Sequence, residues 1–104
     1  QSFPIQQDNV TGSLLLDTEY NNAVLILRGL PAIRDDETYQ VWLIAPDGTR
    51  TSAGLLRPQP DLPFVSAPLS STQDLVNFVG VGMTIEPAGG SDSPTGLHIF
   101  RVDF

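Results

Sequence analysis

The chain has no cysteine and no lysine, and it holds one histidine, one methionine and one tryptophan in 104 residues. Without cysteine there are no disulfides and no thiolate metal sites, although the redox compartment stays open. Without lysine there is no Schiff-base chemistry and no Gly-x-x-x-x-Gly-Lys loop to cradle phosphate. His98 alone supports no histidine-based metal set, so neither a metal nor another cofactor is expected. A Ser-His-Asp triad would have to recruit that one imidazole, and no serine sits in a Gly-x-Ser-x-Gly turn. Positive charge is scarce as well. Five arginines face twelve acids, for a net charge of −7, which repels a nucleic-acid backbone and an anionic membrane surface alike. No apolar run approaches the roughly 20 residues of a membrane span, and no signal-peptide pattern is visible. These absences point away from an enzyme. The length suits one domain that buries roughly two-thirds of its unfolded surface. Gln1 stands where an initiator methionine would, as expected of a piece cut from a larger protein.

What the chain does have is organised around Glu37–Gly48. The run Thr-Tyr-Gln-Val-Trp-Leu-Ile is rich in aromatic and branched side chains, a strand composition. Tyr39, Val41 and Leu43 point to one face, and Gln40, Trp42 and Ile44 to the other. Apolar residues on both faces predict a central strand covered on both sides, with Tyr39 and Trp42 as structural core. Pro46-Asp47-Gly48 ends it, because proline lacks the ladder N–H and Asp-Gly tolerates a positive-φ turn. The chain then returns through Thr49–Leu56. The small residues Ser52, Ala53 and Gly54 there leave room for a large neighbour, with Trp42 the obvious candidate.

Upstream, Gln1–Asn9 is polar apart from Phe3, Pro4 and Ile5, and reads as a loosely held lead-in. Asn9-Val10-Thr11 fits the glycosylation pattern, which is short enough to arise by chance. Gly12–Thr18 and Ala23–Leu30 form a hairpin across Glu19-Tyr20-Asn21-Asn22, where asparagine accepts left-handed angles. Gly29-Leu30-Pro31 closes the second strand. The acidic cluster Asp35-Asp36-Glu37 lacks the oxygen spacing of a calcium loop and reads as a solvated loop tip. Downstream, Pro58, Pro60 and Pro63 forbid regular pairing, and Phe64–Leu69 reads as an edge strand. Ser70-Ser71-Thr72-Gln73 has the form of a capping box for one helical turn through Val76.

Phe78–Glu86 alternates most clearly, with Val79, Val81, Met83 and Ile85 on one face and Phe78, Gly80, Gly82, Thr84 and Glu86 on the other. The two glycines leave a smooth strip on which another layer can pack. Glu86 ends the strand ahead of a Gly-Gly turn, where its carboxylate can accept the N–H groups of Gly89, Gly90 and Ser91 and hold the loop. It has no partner carboxylate for acid–base work. Leu97–Phe104 closes the chain with His98, Phe100, Val102 and Phe104 on one face, so His98 reads as a structural or edge residue. The fold class is therefore all-β, an antiparallel β-sandwich of the Ig-like, Greek-key type, with seven or eight strands and at most one helical turn.

Gly29-Leu30-Pro31, Thr38-Tyr39-Gln40-Val41-Trp42-Leu43-Ile44, Asp47-Gly48, Ala53-Gly54-Leu55, Met83–Ser91 and Pro94-Thr95-Gly96 occur in one order. Together they resemble the C-terminal extracytoplasmic domain of the anti-sigma-K factor (RskA-like) family. The resemblance runs from about Gly29 to Gly96, and its last block is the most specific; before Gly29 it extends only to the character of a strand pair. It implies a larger parent, with a cytoplasmic domain that holds an extracytoplasmic-function sigma factor, one membrane helix, and this domain outside the bacterial cell membrane. It also implies regulated proteolysis by a membrane-associated protease, with the outer domain governing release. Residues 1–9 would then be a juxtamembrane-type segment and 10–104 a single β-sandwich. No catalytic residue carries over. Glu86, Pro87, Ala88, Gly89, Gly90, Ser91, Pro94, Thr95 and Gly96 carry over as a family signature without an assigned role.

Two other classes share parts of this composition. A secreted or surface β-sandwich that binds carbohydrate or protein would show an exposed aromatic patch, and eight aromatic residues leave few to spare. A small hydrolase is disfavoured by the missing histidine and cysteine chemistry.

Overall fold

A computed structural model describes all residues, Gln1–Phe104. Eight strands account for the regular structure: β1 Ser2–Gln7, β2 Val10–Asp17, β3 Asn22–Arg28, β4 Glu37–Ile44, β5 Arg50–Leu56, β6 Val65–Pro68, β7 Gly80–Pro87 and β8 His98–Asp103. They form two antiparallel four-stranded sheets, ordered β1-β2-β3-β6 and β5-β4-β7-β8. The β3/β6, β4/β7 and β7/β8 pairings are those of strands B/E, C/F and F/G in an immunoglobulin-type sandwich, with β5 added beside β4. The only helical piece is a 3₁₀ turn, Leu75–Asn77.

Period-two alternation turns Leu14, Leu16, Leu25 and Leu27 of the first sheet toward Tyr39, Val41, Leu43, Val81, Met83 and Phe100 of the second. The Tyr39 hydroxyl donates to the Pro31 carbonyl at 2.5 Å, and burial raises its pKa, so it stays a neutral donor. The sandwich is also closed at both edges. The Phe3 and Phe104 rings lie 5.3 Å apart where β1 meets β8. Across the other seam the Ser70 N–H donates to the Ala53 carbonyl at 3.0 Å. The two hairpins form as the turn residues require, with Asn21 at φ 56° and Gly48 at φ 89°.

Four local readings change. Residues 2–7 are not a loose lead-in: β1 pairs with β2 along its whole length, from Ser2↔Leu15 to Gln7↔Val10. Pro4 is tolerated there because β1 is an edge strand of its sheet. In β8 a bulge at Ile99 pairs Met83 with Phe100 but Thr84 with His98. The extra residue rotates His98 to the face opposite Phe100, where it is exposed. Phe78 precedes β7 as the cap of the 3₁₀ turn and packs in the inter-sheet core, not on the glycine face. The Ser70–Gln73 capping box is not used. The 3₁₀ turn starts later, and its Leu75 N–H is capped by the Asn21 side chain from the β2–β3 turn, at 2.7 Å.

Candidate functional site: the Glu86 loop on the outer face of the second sheet

The pairing of β4 with β7 places Thr38 beside Glu86, Gln40 beside Thr84 and Trp42 beside Gly82. Directly paired residues share a face, and this face points away from the first sheet. Trp42 is accordingly absent from the inter-sheet cluster. Yet Gln40, Trp42, Thr84 and Glu86 are all buried, Trp42 completely. A four-stranded sheet with a buried outer face needs a cover, and the chain supplies it from residues 88–97 and the Arg50 side chain. The Arg50 guanidinium sits 3.3 Å from the point a Cβ on Gly82 would occupy. That is the layer for which the glycine strip leaves room. Across β5 a bulge at Ala53 sets Ser52 opposite Trp42 and Gly54 opposite Val41, and Ala53 turns into the inter-sheet core, so of the three small residues only Ser52 lies beside the indole.

The loop is tied down at two points. Glu86 is the first. Its carboxylate accepts the hydroxyls of Thr84 at 2.5 Å, Ser91 at 2.8 Å and Thr95 at 2.6 Å. It also accepts the backbone N–H groups of Thr95 and Gly96, each at 3.1 Å. Thr84 in turn accepts the Trp42 indole N–H at 2.8 Å, so the indole, hydroxyl and carboxylate form one buried relay. Gln40 is the second anchor. Its side chain accepts the Ser91 N–H at 2.9 Å and donates to the Ser91 carbonyl at 3.0 Å and to Ser52 at 2.8 Å.

The sequence correctly places Glu86 as the holder of its loop, but none of the three N–H groups it names, those of Gly89, Gly90 and Ser91, reaches the carboxylate. Gly89 and Gly90 do not bond the carboxylate; the Gly90 N–H closes a turn onto the Pro87 carbonyl, and Ser91 reaches Glu86 through its hydroxyl. Gly96 is required for contact. A Cβ there would lie 1.6 Å from the Ile85 carbonyl oxygen. Ala88 ties the loop to the β3–β4 connection through its N–H to the Asp36 carbonyl. Pro87 ends β7, and Pro94 is half-buried. Gln40 and Thr84 were missed as anchors. Their signal was a polar side chain inside an otherwise apolar alternating row, where burial demands a partner.

Burial by itself would raise the Glu86 pKa. The hydroxyls of Thr84, Thr95 and Ser91 and the Thr95 N–H outweigh it, and the value falls from 4.5 to about 2. The side chain is an anion at neutral pH with both oxygens engaged, which suits an anchor and not a general acid or base.

The acidic cluster is organised by arginine. Arg34 forms a two-pronged pair with Asp36 at 2.8 and 3.0 Å. Its N–H donates to the Glu37 carboxylate at 3.0 Å, and the Arg57 guanidinium bonds the Glu37 and Arg34 carbonyls. No group of three or more His, Cys, Asp or Glu side chains is placed to hold a metal. The melting temperature is therefore expected to be the same in chelator and in micromolar calcium or zinc. A rise of several degrees with either ion would show that this loop is a metal site after all.

Fold and site together define a β-sandwich domain whose one dense polar constellation is spent on holding its own loop. The model of the family described as anti-sigma-K factor rskA, C-terminal, matches residues 2–98. The chain belongs to that family. It is 33% identical over 85 residues to the anti-sigma-K factor RskA of Mycolicibacterium vanbaalenii, covering 82% of this chain and 34% of that protein. It is 33% identical over 92 residues to the anti-sigma-K factor RskA of Mycobacterium ulcerans, covering 88% and 38%. An uncharacterized protein in the phr 5′ region of Streptomyces griseus is 30% identical over 95 residues, covering 89% and 37%. The chain thus spans little more than a third of the length of these curated relatives. No solved structure matches it.

Proposed function

We propose that this chain is the extracytoplasmic regulatory domain of a membrane-spanning anti-sigma factor, and that its folded state controls the proteolytic release of an extracytoplasmic-function sigma factor. The observation that carries this reading is the family match, which covers residues 2–98 and is to the C-terminal part of the family. No helix here is long and apolar enough to cross a membrane. In this reading the membrane helix and the sigma-binding domain belong to the part of the relatives' length that the chain does not cover.

The strand β1 gives the control a physical form. Proteases need an extended, locally unfolded substrate. In the proposed parent, residues 1–9 follow the membrane helix, and residues 2–7 are held in β1 by pairing with β2. Ile5 is the one buried residue of that strand, and Phe3 packs half-buried against the core, so few side chains hold β1 in place. Its protection comes from sheet pairing. A ligand or partner that favours the paired form shields the segment, and one that favours a peeled form exposes it.

The test is a reporter for the cognate sigma factor, read beside immunoblots of the full-length anti-sigma protein. Trp42→Ala and Glu86→Ala are each expected to raise cleavage and reporter output while the protein stays membrane-inserted. If both variants, and one lacking residues 12–104, leave cleavage and output unchanged, the domain does not govern release. A binding module on the cell surface would then be the better reading.

A further inference from the structure

The two sheets differ in what covers them. The second sheet is roofed by its own 88–97 loop, whereas the outer face of the first has no such cover. Leu14, Leu16, Leu25 and Leu27 point inward, so alternation turns Thr11, Ser13, Leu15 and Asp17 of β2 and Asn22, Val24, Ile26 and Arg28 of β3 outward. Cross-strand pairing adds Pro4 from β1 and Pro68 from β6. Leu15 is 44% exposed, and beside it a depression of about 460 Å³ opens along Ser2, Asp17 and Val24.

An exposed antiparallel face is ordinarily polar, with charges that discourage edge or face association. Here twelve acids are available, and the centre of the face carries none. Its only strand charges are Arg28 at one end and Asp17 at the other, and both are exposed. The Arg28 guanidinium lies 5.9 Å from the centre of the Phe64 ring. It has no carboxylate partner, since the two ion pairs of the chain are Arg34–Asp36 and Arg101–Asp103.

We propose that this face binds a second copy of the chain, outer sheet on outer sheet. A two-fold axis between the sheets and perpendicular to the strands reverses the strand direction. It brings the Arg28 end of each copy over the Asp17 end of the other, and sets Ile26 over Val24 and Ser13 over Leu15. The contact is isologous, with complementary charge at both rims and apolar contact at the centre. On the second sheet the chain's own loop occupies the outer face over Gln40 and Glu86. A two-fold pairing also places the remaining acids of the β1–β2 and β2–β3 turns at the rim, where solvent screens them. Four strands about 4.8 Å apart and seven residues long give about 450 Å² per partner, roughly half of a standard interface. Association is therefore weak and reversible. The pairing belongs to the domain itself and does not depend on the anti-sigma reading.

Sedimentation velocity from micromolar to millimolar chain should show a monomer–dimer equilibrium. Leu15→Lys should weaken it by about tenfold or more with little change in melting temperature, since Leu15 is exposed. The absence of cysteine allows a cleaner test. Ser13→Cys should be joined into a dimer by a short bis-maleimide, whose reach exceeds the roughly 10 Å between stacked sheets, whereas Asp92→Cys on the opposite, covered face should not. A chain that stays monomeric at millimolar concentration, with no Ser13→Cys cross-link, overturns the proposal. So does a monomer that co-sediments with phosphatidylcholine vesicles and loses that binding in Leu15→Lys, because the face would then be a lipid contact.

Discussion

Truncating Trp42 to alanine is expected to remove about 3–5 kcal/mol of folding stability. The side chain is fully buried, and the neighbours that border it cannot close over the space it leaves. Gly82 and Ser52 pair with Trp42 on either side, and both strands are held at fixed spacing by backbone hydrogen bonds. The change also strips Thr84 of the indole donor at 2.8 Å. Thr84 then keeps its bond to Glu86 but carries an unpaired buried acceptor, which adds to the cost. Domains of this size have about 5–15 kcal/mol in total, so the variant should lie near the limit of folding. Urea denaturation followed by far-ultraviolet circular dichroism measures the loss. Trp42→Phe separates the contributions: it keeps most of the volume and loses the N–H. A loss below about 1 kcal/mol in Trp42→Ala would mean that the indole fills no space the fold depends on.

The second large effect is a dependence of stability on pH that traces to one carboxylate. Glu86 has a folded-state pKa of about 2 against an ordinary 4.5. A lowered pKa contributes stability that is complete above the unfolded value and is lost as pH falls through the folded one. The window is thus pH 4.5 down to about 2. The size of the shift corresponds to about 3 kcal/mol at neutral pH. Asp36 and Asp47 also have lowered pKa values, through the bond from Arg34 and the Thr49 N–H respectively. Both are exposed and present in any Glu86 variant, so they cancel in a difference.

Glu86→Gln is the useful comparison, because it keeps the shape while one oxygen becomes an NH₂ that faces donors. Wild type should exceed Glu86→Gln in stability at neutral pH, and the gap should shrink steadily below pH 4.5. A gap that does not change with pH would show that the anionic charge is not what holds the 88–97 loop. The same titration bears on the function proposed above. If loop and fold are coupled to cleavage, acidification and Glu86→Gln should act in the same direction on β1 accessibility.

Much of this architecture was legible in the residues. The alternation of Glu37–Ile44 and of the β7 run, the Asp-Gly and Asn-Asn turns, and the proline-flanked edge strand all stand where local chemistry puts them. Period-two patterning and positive-φ requirements are properties of a few neighbouring residues, so no distant information is needed. The signature from Glu86 to Gly96 was legible in the same way, as was the role of Glu86 in holding its loop.

The rest depended on partners far away in the chain. Ser2–Gln7 looks loose because its own side chains are mostly polar, and it becomes a strand only because β2 offers a complementary edge. His98 looks aligned with Phe100, and one bulge residue paired against β7 reverses it. The N–H donors to Glu86 were misassigned between Gly89-Gly90-Ser91 and Thr95-Gly96, since loop closure and not sequence proximity decides which N–H groups reach the carboxylate. Trp42 shows the division most clearly. Its composition and alternation determined that it would be buried on a two-sided strand. Which layer buries it was decided only by the tertiary structure, because the first sheet covers the Tyr39 face and the Trp42 face is left to the chain's own loop, tied down by Gln40 and Glu86.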